Sequence, residues 1–217
     1  MERDRPEIQP DLSEQDLERL SQIMAAGVDI ETTGLDPGAD QLCLIQICDG
    51  DGNVNLVRGR SWVHTRRLRA FLAEPSIVKV FHFALFDCAF ILRNLGTEVN
   101  NVYCTKVASK IARPFAPSHS LSSLVNELFA VELDKAEQQS DWSRHTLTPE
   151  QIEYAVNDVV WLLKVRDRLE GIINDKGKLF TGITYAELNH NCQRFLPTML
   201  HLWLNGWEDS KSSIFSY

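Results

Sequence analysis

With 217 residues, 44% of them hydrophobic and 24% charged, the chain has the make-up of one globular domain with a sizeable core, and it lacks the run of about 18 apolar residues that a membrane span needs. A net charge of −8 and a pI near 5.3 leave little basic surface to neutralise phosphates, which argues against a binder of long RNA or DNA. The start, MERDRPEIQPDL, has no secretory apolar stretch, and the five scattered cysteines (Cys43, Cys48, Cys88, Cys104, Cys192) form no CxxC pair, so a cytoplasmic protein with reduced thiols is expected.

Residues 1–12 read as a loose arm. LSEQDLERLSQIMAA then carries Leu12, Leu17, Leu20 and Met24 at roughly helical spacing. A first strand, VDIETTGLD, follows directly. In extended chain Asp29 and Glu31 share one face, while Val28 and Ile30 share the other. Beyond the turn LDPGAD, the stretch CLIQICDGDGNVNLV places two apolar runs around an Asp-Gly-Asp-Gly-Asn cluster, so a hairpin extends the acid-bearing strand into a three-stranded antiparallel unit. TRRLRAFLAE suits a helix, SIVKVFHF a buried strand, ALFDCAFILRNLG a helix ending at Gly96, and NVYCT a short strand. From Thr105 the pattern is helical: VASKIA, SLSSLVNELF, PEQIEYAVNDVVWLLKVRDRLEGI and YAELNHNCQRFLPTMLHLWLN. Thr148 as cap, Pro149 at the first helical position and Gln151 closing a capping box fix the register of the third of these. Tyr154 and Asp158, four apart, then lie on one face. The whole predicts a single α/β domain over 1–217, with a mixed central sheet flanked by helices and a helical tail over 180–217.

Three segments present acids where burial is expected: Asp29 with Glu31, Asp87 in HFALFDCAF, and Asp158 with Tyr154. Carboxylates embedded in apolar runs are costly unless paired or metal-bound, and two held side by side on a strand repel each other. A hard divalent cation is the simplest compensation.

VDIETTGLD, HFALFD and YAVND together resemble the three motifs of the DEDD superfamily of 3′-to-5′ exonucleases, tyrosine subclass. CTKVASKIAR, KAEQQSDWS and TLTPEQIEYAVNDVVWLL are similar to the RNase D branch, and the ending CQRFLPTMLHLWLNGWEDSKSSIF resembles the compact nano-RNase C group, which clears very short RNAs, especially dinucleotides. The resemblance implies a ribonuclease H-like exonuclease fold and hydrolysis of short RNA to nucleoside monophosphates with two divalent metal ions, Mg2+ or Mn2+. Asp29 is then the bridging ligand, with Glu31 and Asp158 completing one site, Asp87 serving the other, and Tyr154 orienting or deprotonating the attacking water. It also implies a homo-oligomer, with an octameric ring as the form to test. Thr32, Gly34, Leu35, His82, Phe83, Phe86, Lys106 and Trp142 are the candidate substrate contacts. Leu35 is read as a wedge against the terminal base, and Phe83 or Phe86 as a stacking face, against plain core packing. His82 either contacts substrate or is satisfied at a strand end. Trp142, a large ring in a polar loop, is expected to meet RNA or a neighbouring subunit. Lys106, Lys110, Arg113 and Arg144 are candidates for a 5′ phosphate. The competing expectations are trimming of tRNA or other longer RNA, DNA proofreading, and a catalytically silent RNA-binding or assembly module.

Overall fold

In the computed structural model, which describes residues 6–59 and 61–206, the acid-bearing segment is an inner strand of a mixed sheet. Among the described residues that sheet has six strands: β1 (Ile8–Gln9), β2 (Ala25–Thr32), β3 (Leu42–Cys48), β4 (Val54–Val57), β5 (Val78–Phe81) and β6 (Val102–Cys104). Their spatial order is β1-β4-β3-β2-β5-β6. β2, β3 and β4 are antiparallel neighbours, as the hairpin signal predicts, while β5 and β6 join β2 in parallel. The helices are α1 (Glu14–Ser21), α2 (Arg66–Ala73), α3 (Ala84–Leu95), α4 (Thr105–Ala112), α5 (Leu121–Phe129), α6 (Pro149–Val160), α7 (Leu162–Asp175) and α8 (Tyr185–Leu204).

Strand alternation decides what each face of the sheet meets. Val28 and Ile30 of β2 join Ile45, Ile47, Phe81 and Phe90 in the core beneath α1 to α3. Each side chain of this kind, fully buried, contributes roughly 1.5–3 kcal/mol. The opposite face, with Leu44 and Leu56, packs on Ala155 of α6. Gly27 lies on this face too, and a Cβ there would stand 2.9 Å from the Val159 carbonyl and 3.2 Å from the Leu162 Cβ. The missing side chain lets the α6–α7 junction rest directly on β2.

Three expectations are corrected. Residues 6–12 are no loose arm: β1 pairs in parallel with β4, and Leu12 is buried. Residues 1–5 of that expected arm, and 207–217 of the expected tail, lie outside the described residues. Met24 is 80% exposed rather than on the apolar face of α1, because the helix ends at Ser21 and the strand has begun by Ala25. The long helix expected from Pro149 is two, α6 and α7, with Trp161 between them still in right-handed helical conformation. α6 packs on β2 and β3, and α7 on β2 and β5.

Candidate active site

The site forms where β2, α3 and α6 converge. β2 brings Asp29 and Glu31 to the face covered by α6, and the register shifts between Glu31 and Thr32 as the strand ends. The α6 capping box forms as expected, the Thr148 hydroxyl accepting from the Gln151 amide N–H and the Gln151 side chain accepting from the Thr148 N–H. This fixes Tyr154 and Asp158 on the turn facing β2. One carboxylate oxygen each from Asp29, Glu31 and Asp158 lies within 4.8 Å of the other two. Asp87, in the first turn of α3, is buried outside this trio, and its charge acts on both Asp29 and Glu31.

Burial, then mutual repulsion, pushes the Asp29 and Glu31 carboxyls well above the usual carboxylate range. Burial alone does the same to Asp87. Asp158 is pushed up to about 6 by burial, against the pull of a hydrogen bond from Tyr154 and the charge of Lys135. The Tyr154 phenol, half-buried beside Asp158, Glu31 and Asp29, is raised above its ordinary value, first by burial and then by the charge of Asp158 and a hydrogen bond to it. Three convergent hard oxygen donors carrying excess negative charge fit a divalent cation of the Mg2+ or Mn2+ kind.

The other candidates separate. Thr32 donates to the Gly34 carbonyl at 2.6 Å, and the Asp40 carboxylate sits where a Cβ on Gly34 would stand, so a side chain there would displace it. That carboxylate ties the turn by accepting from Asp36 N–H and Thr33 Oγ1, which leaves Leu35 82% exposed. Phe83 takes a left-handed backbone (φ 69°) ahead of α3 and is 46% exposed, with Lys106 Nζ 4.0 Å from its ring centroid. Phe86 is half-buried and packs on Phe90.

Of the two readings of His82, the structure favours the second, a histidine satisfied at a strand end: its Nδ1 pairs with Thr105 Oγ1 at 2.9 Å. Burial, and the nearby Lys106 charge, hold its pKa down at about 4. Two other readings change, those of Arg113 and Trp142. Arg113 is committed to Glu127 and to the Ser118 carbonyl rather than open to a phosphate. Trp142 is 2% exposed and packs inward against Leu44, Leu56 and Ala155, so it does not face RNA or a partner. A polar neighbourhood in sequence does not tell which way a ring turns. Arg144 sits in the Trp142 loop, apart from Lys106 and Lys110, which with Arg113 surround His119.

Sequence reasoning missed two residues of the site. Gln46, the cross-strand partner of Asp29, donates from Nε2 to Glu31 Oε1 at 3.3 Å and is fully buried. A lone amide inside the apolar run CLIQIC was the available signal. Lys135, which lends its charge to Asp158, gives no sequence signal.

A family model described as 3′-5′ exonuclease matches residues 9–174. The exosome complex exonuclease RRP6 of Saccharomyces cerevisiae is 32% identical over 181 residues, which is 82% of this chain and 24% of that protein. Brucella melitensis NrnC, solved bound to pGG, superposes with a TM-score of 0.84 at 35% identity over 97% of both chains, and NrnC is also known with bound Mg2+. Escherichia coli RNase D, described as an exoribonuclease involved in structured RNA processing, superposes at 0.73 with 26% identity over 90% of this chain and 50% of its own. The chain spans about half the length or less of the curated relatives it matches.

Proposed function

Because the chain belongs to the 3′-5′ exonuclease family, we propose that it is a metal-dependent 3′-5′ exoribonuclease that hydrolyses short RNAs, dinucleotides above all, to nucleoside monophosphates. The observation that carries this reading is the trio of carboxylate oxygens within 4.8 Å, beside a phenol that donates to one of them. Asp29, Glu31 and Asp158 would hold one divalent ion and Asp29 with Asp87 a second, Mg2+ or Mn2+. When bound, the pair supplies Lewis acidity toward the phosphate and the attacking water. Tyr154 orients that water through its hydroxyl. Gln46 holds the Glu31 carboxylate in place. Water attacks phosphorus, the P–O3′ bond breaks, and the departing 3′ oxygen gains a proton.

The preference for short RNA draws on the similarity to pGG-bound NrnC over 97% of both chains and on the net charge of −8. The exposed Leu35 and the Phe83–Lys106 pair are suited to the base and phosphate of a short strand. Cytoplasmic placement is supported by five free cysteines. Assembly into a homo-oligomer belongs to the same proposal. A 5′-labelled short RNA incubated with Mg2+ or Mn2+ is expected to shorten one nucleotide at a time from its 3′ end, and chelation is expected to stop it. Internal cuts, or shortening from the 5′ end, would reject the proposal.

A further inference from the structure

We propose that Trp142, held in place by Arg58, is a positioning residue that fixes the Tyr154 hydroxyl over the acid cluster. The inference rests on Tyr154 being the group that orients water.

Residues 130–148 link α5 to α6 without a helix or strand of their own, so side chains must set their path. Arg58, just past β4, supplies most of that. Its guanidinium donates to four successive backbone carbonyls, those of Trp142 (3.1 Å), Ser143 (3.2 Å), Arg144 (2.7 Å) and His145 (3.3 Å). A planar fork of donors can gather carbonyls in this way, whereas a lysine ammonium cannot. On the other flank the Gln151 amide donates to Ser140 Oγ at 2.8 Å and the Asp141 carbonyl at 3.1 Å. The Asp141 carboxylate in turn accepts from Ser143.

Gripped on both sides, the loop turns Trp142 inward. The indole centroid lies 6.0 Å from that of Tyr154, with the rings inclined at 48°. The phenol is therefore bounded by the indole along its ring and by Asp158 at its hydroxyl. Rotation about the tyrosine side-chain bonds would carry the hydroxyl away from the acids, and the indole blocks that path. Packing stability alone does not account for tryptophan here. Its Nε1–H is buried without a hydrogen-bond partner, a desolvation penalty that phenylalanine or leucine would avoid.

The test is a double-mutant cycle on a 5′-phosphorylated dinucleotide with Mg2+, each variant first checked by thermal melting. Trp142→Leu and Arg58→Lys are expected to lower kcat by roughly ten- to a hundredfold with KM within about twofold, the signature of a displaced group. Trp142→Phe keeps a ring and is expected to recover most of that loss. It also carries the test, with Arg58→Lys, should Trp142→Leu fail to fold. In a Tyr154→Phe background all three are expected to cost less than about twofold more, because the hydroxyl they position is gone. Multiplicative losses in that background, or losses in KM or metal affinity, would overturn the positioning role while leaving the Tyr154 reading intact. Full activity of Tyr154→Phe by itself would overturn both.

Discussion

A folded state that holds protons the unfolded chain would release is stabilised where those protons are bound. The carboxyls of Asp29, Glu31 and Asp87 are raised well above their ordinary values and Asp158 to about 6, so their contribution is full below the unfolded pKa values near 4 and is lost as pH rises through the folded ones. His82, lowered to about 4, acts in the opposite sense below its ordinary 6.5, so the comparison belongs between pH 6.5 and 8.5. With chelator, Tm at pH 8.5 is expected to be lower than at pH 6.5, and saturating Mg2+ is expected to remove the difference. Asp29→Asn relieves repulsion at similar volume and is expected to raise the chelated Tm at pH 8.5 while hydrolysis collapses; unchanged hydrolysis would sink the metal-site assignment. Gln46→Leu leaves Glu31 without its amide donor and is expected to weaken metal binding roughly 10- to 100-fold in a titration. The acids were legible in sequence because a carboxylate in an apolar run demands an explanation. Partners are not legible in this way, which is why His82 stayed open between two readings and why Arg113 and Trp142 looked available although the first is paired with Glu127 and the second is packed inward.

At the scale of elements, those whose ends carry their own chemistry were readable. α6 starts at Thr148 because cap, proline and capping box coincide there, and α3 ends where Gly96 takes a left-handed conformation with φ 62°. β1, two residues long and paired only along the edge of β4, is too short for any periodicity to show. The break between α6 and α7 has no proline or glycine to announce it; it falls where the junction packs closely on β2. Gly27 sets that approach, so Gly27→Ala places a methyl 2.9 Å from the Val159 carbonyl, next to Asp158. Overpacking of this kind costs about 1–3 kcal/mol. The expected result is a lower Tm together with weaker metal binding, since the junction must lift and carry Asp158 with it. Normal metal affinity in a destabilised Gly27→Ala protein would show that the helix position and the acid trio are independent.

For the whole molecule, the balance of charge limits how much nucleic acid the surface can hold. The chain carries −8 net, and of the basic residues around His119, Arg113 is paired with Glu127, so Lys106 and Lys110 are the ones proposed to meet phosphate. Two neutralised phosphates give a salt slope of about −1.4 for single strands, so affinity is expected to fall only about sevenfold between roughly 50 and 200 mM salt. A long-RNA binder would lose several orders of magnitude over the same range. A contact to the 5′ phosphate at fixed distance from the scissile bond is made only when the strand is short, and removing that phosphate from a dinucleotide is expected to cost about 1.5–3 kcal/mol. Each nucleotide added between the 5′ phosphate and the scissile bond is then expected to forfeit the contact. The kcat/KM for a 5′-phosphorylated dinucleotide is therefore expected to exceed that for an unstructured RNA of about ten nucleotides under the same conditions. A ratio at or below one would reject the short-RNA preference and favour an enzyme that trims longer RNA, even with the acid trio and Tyr154 acting as described.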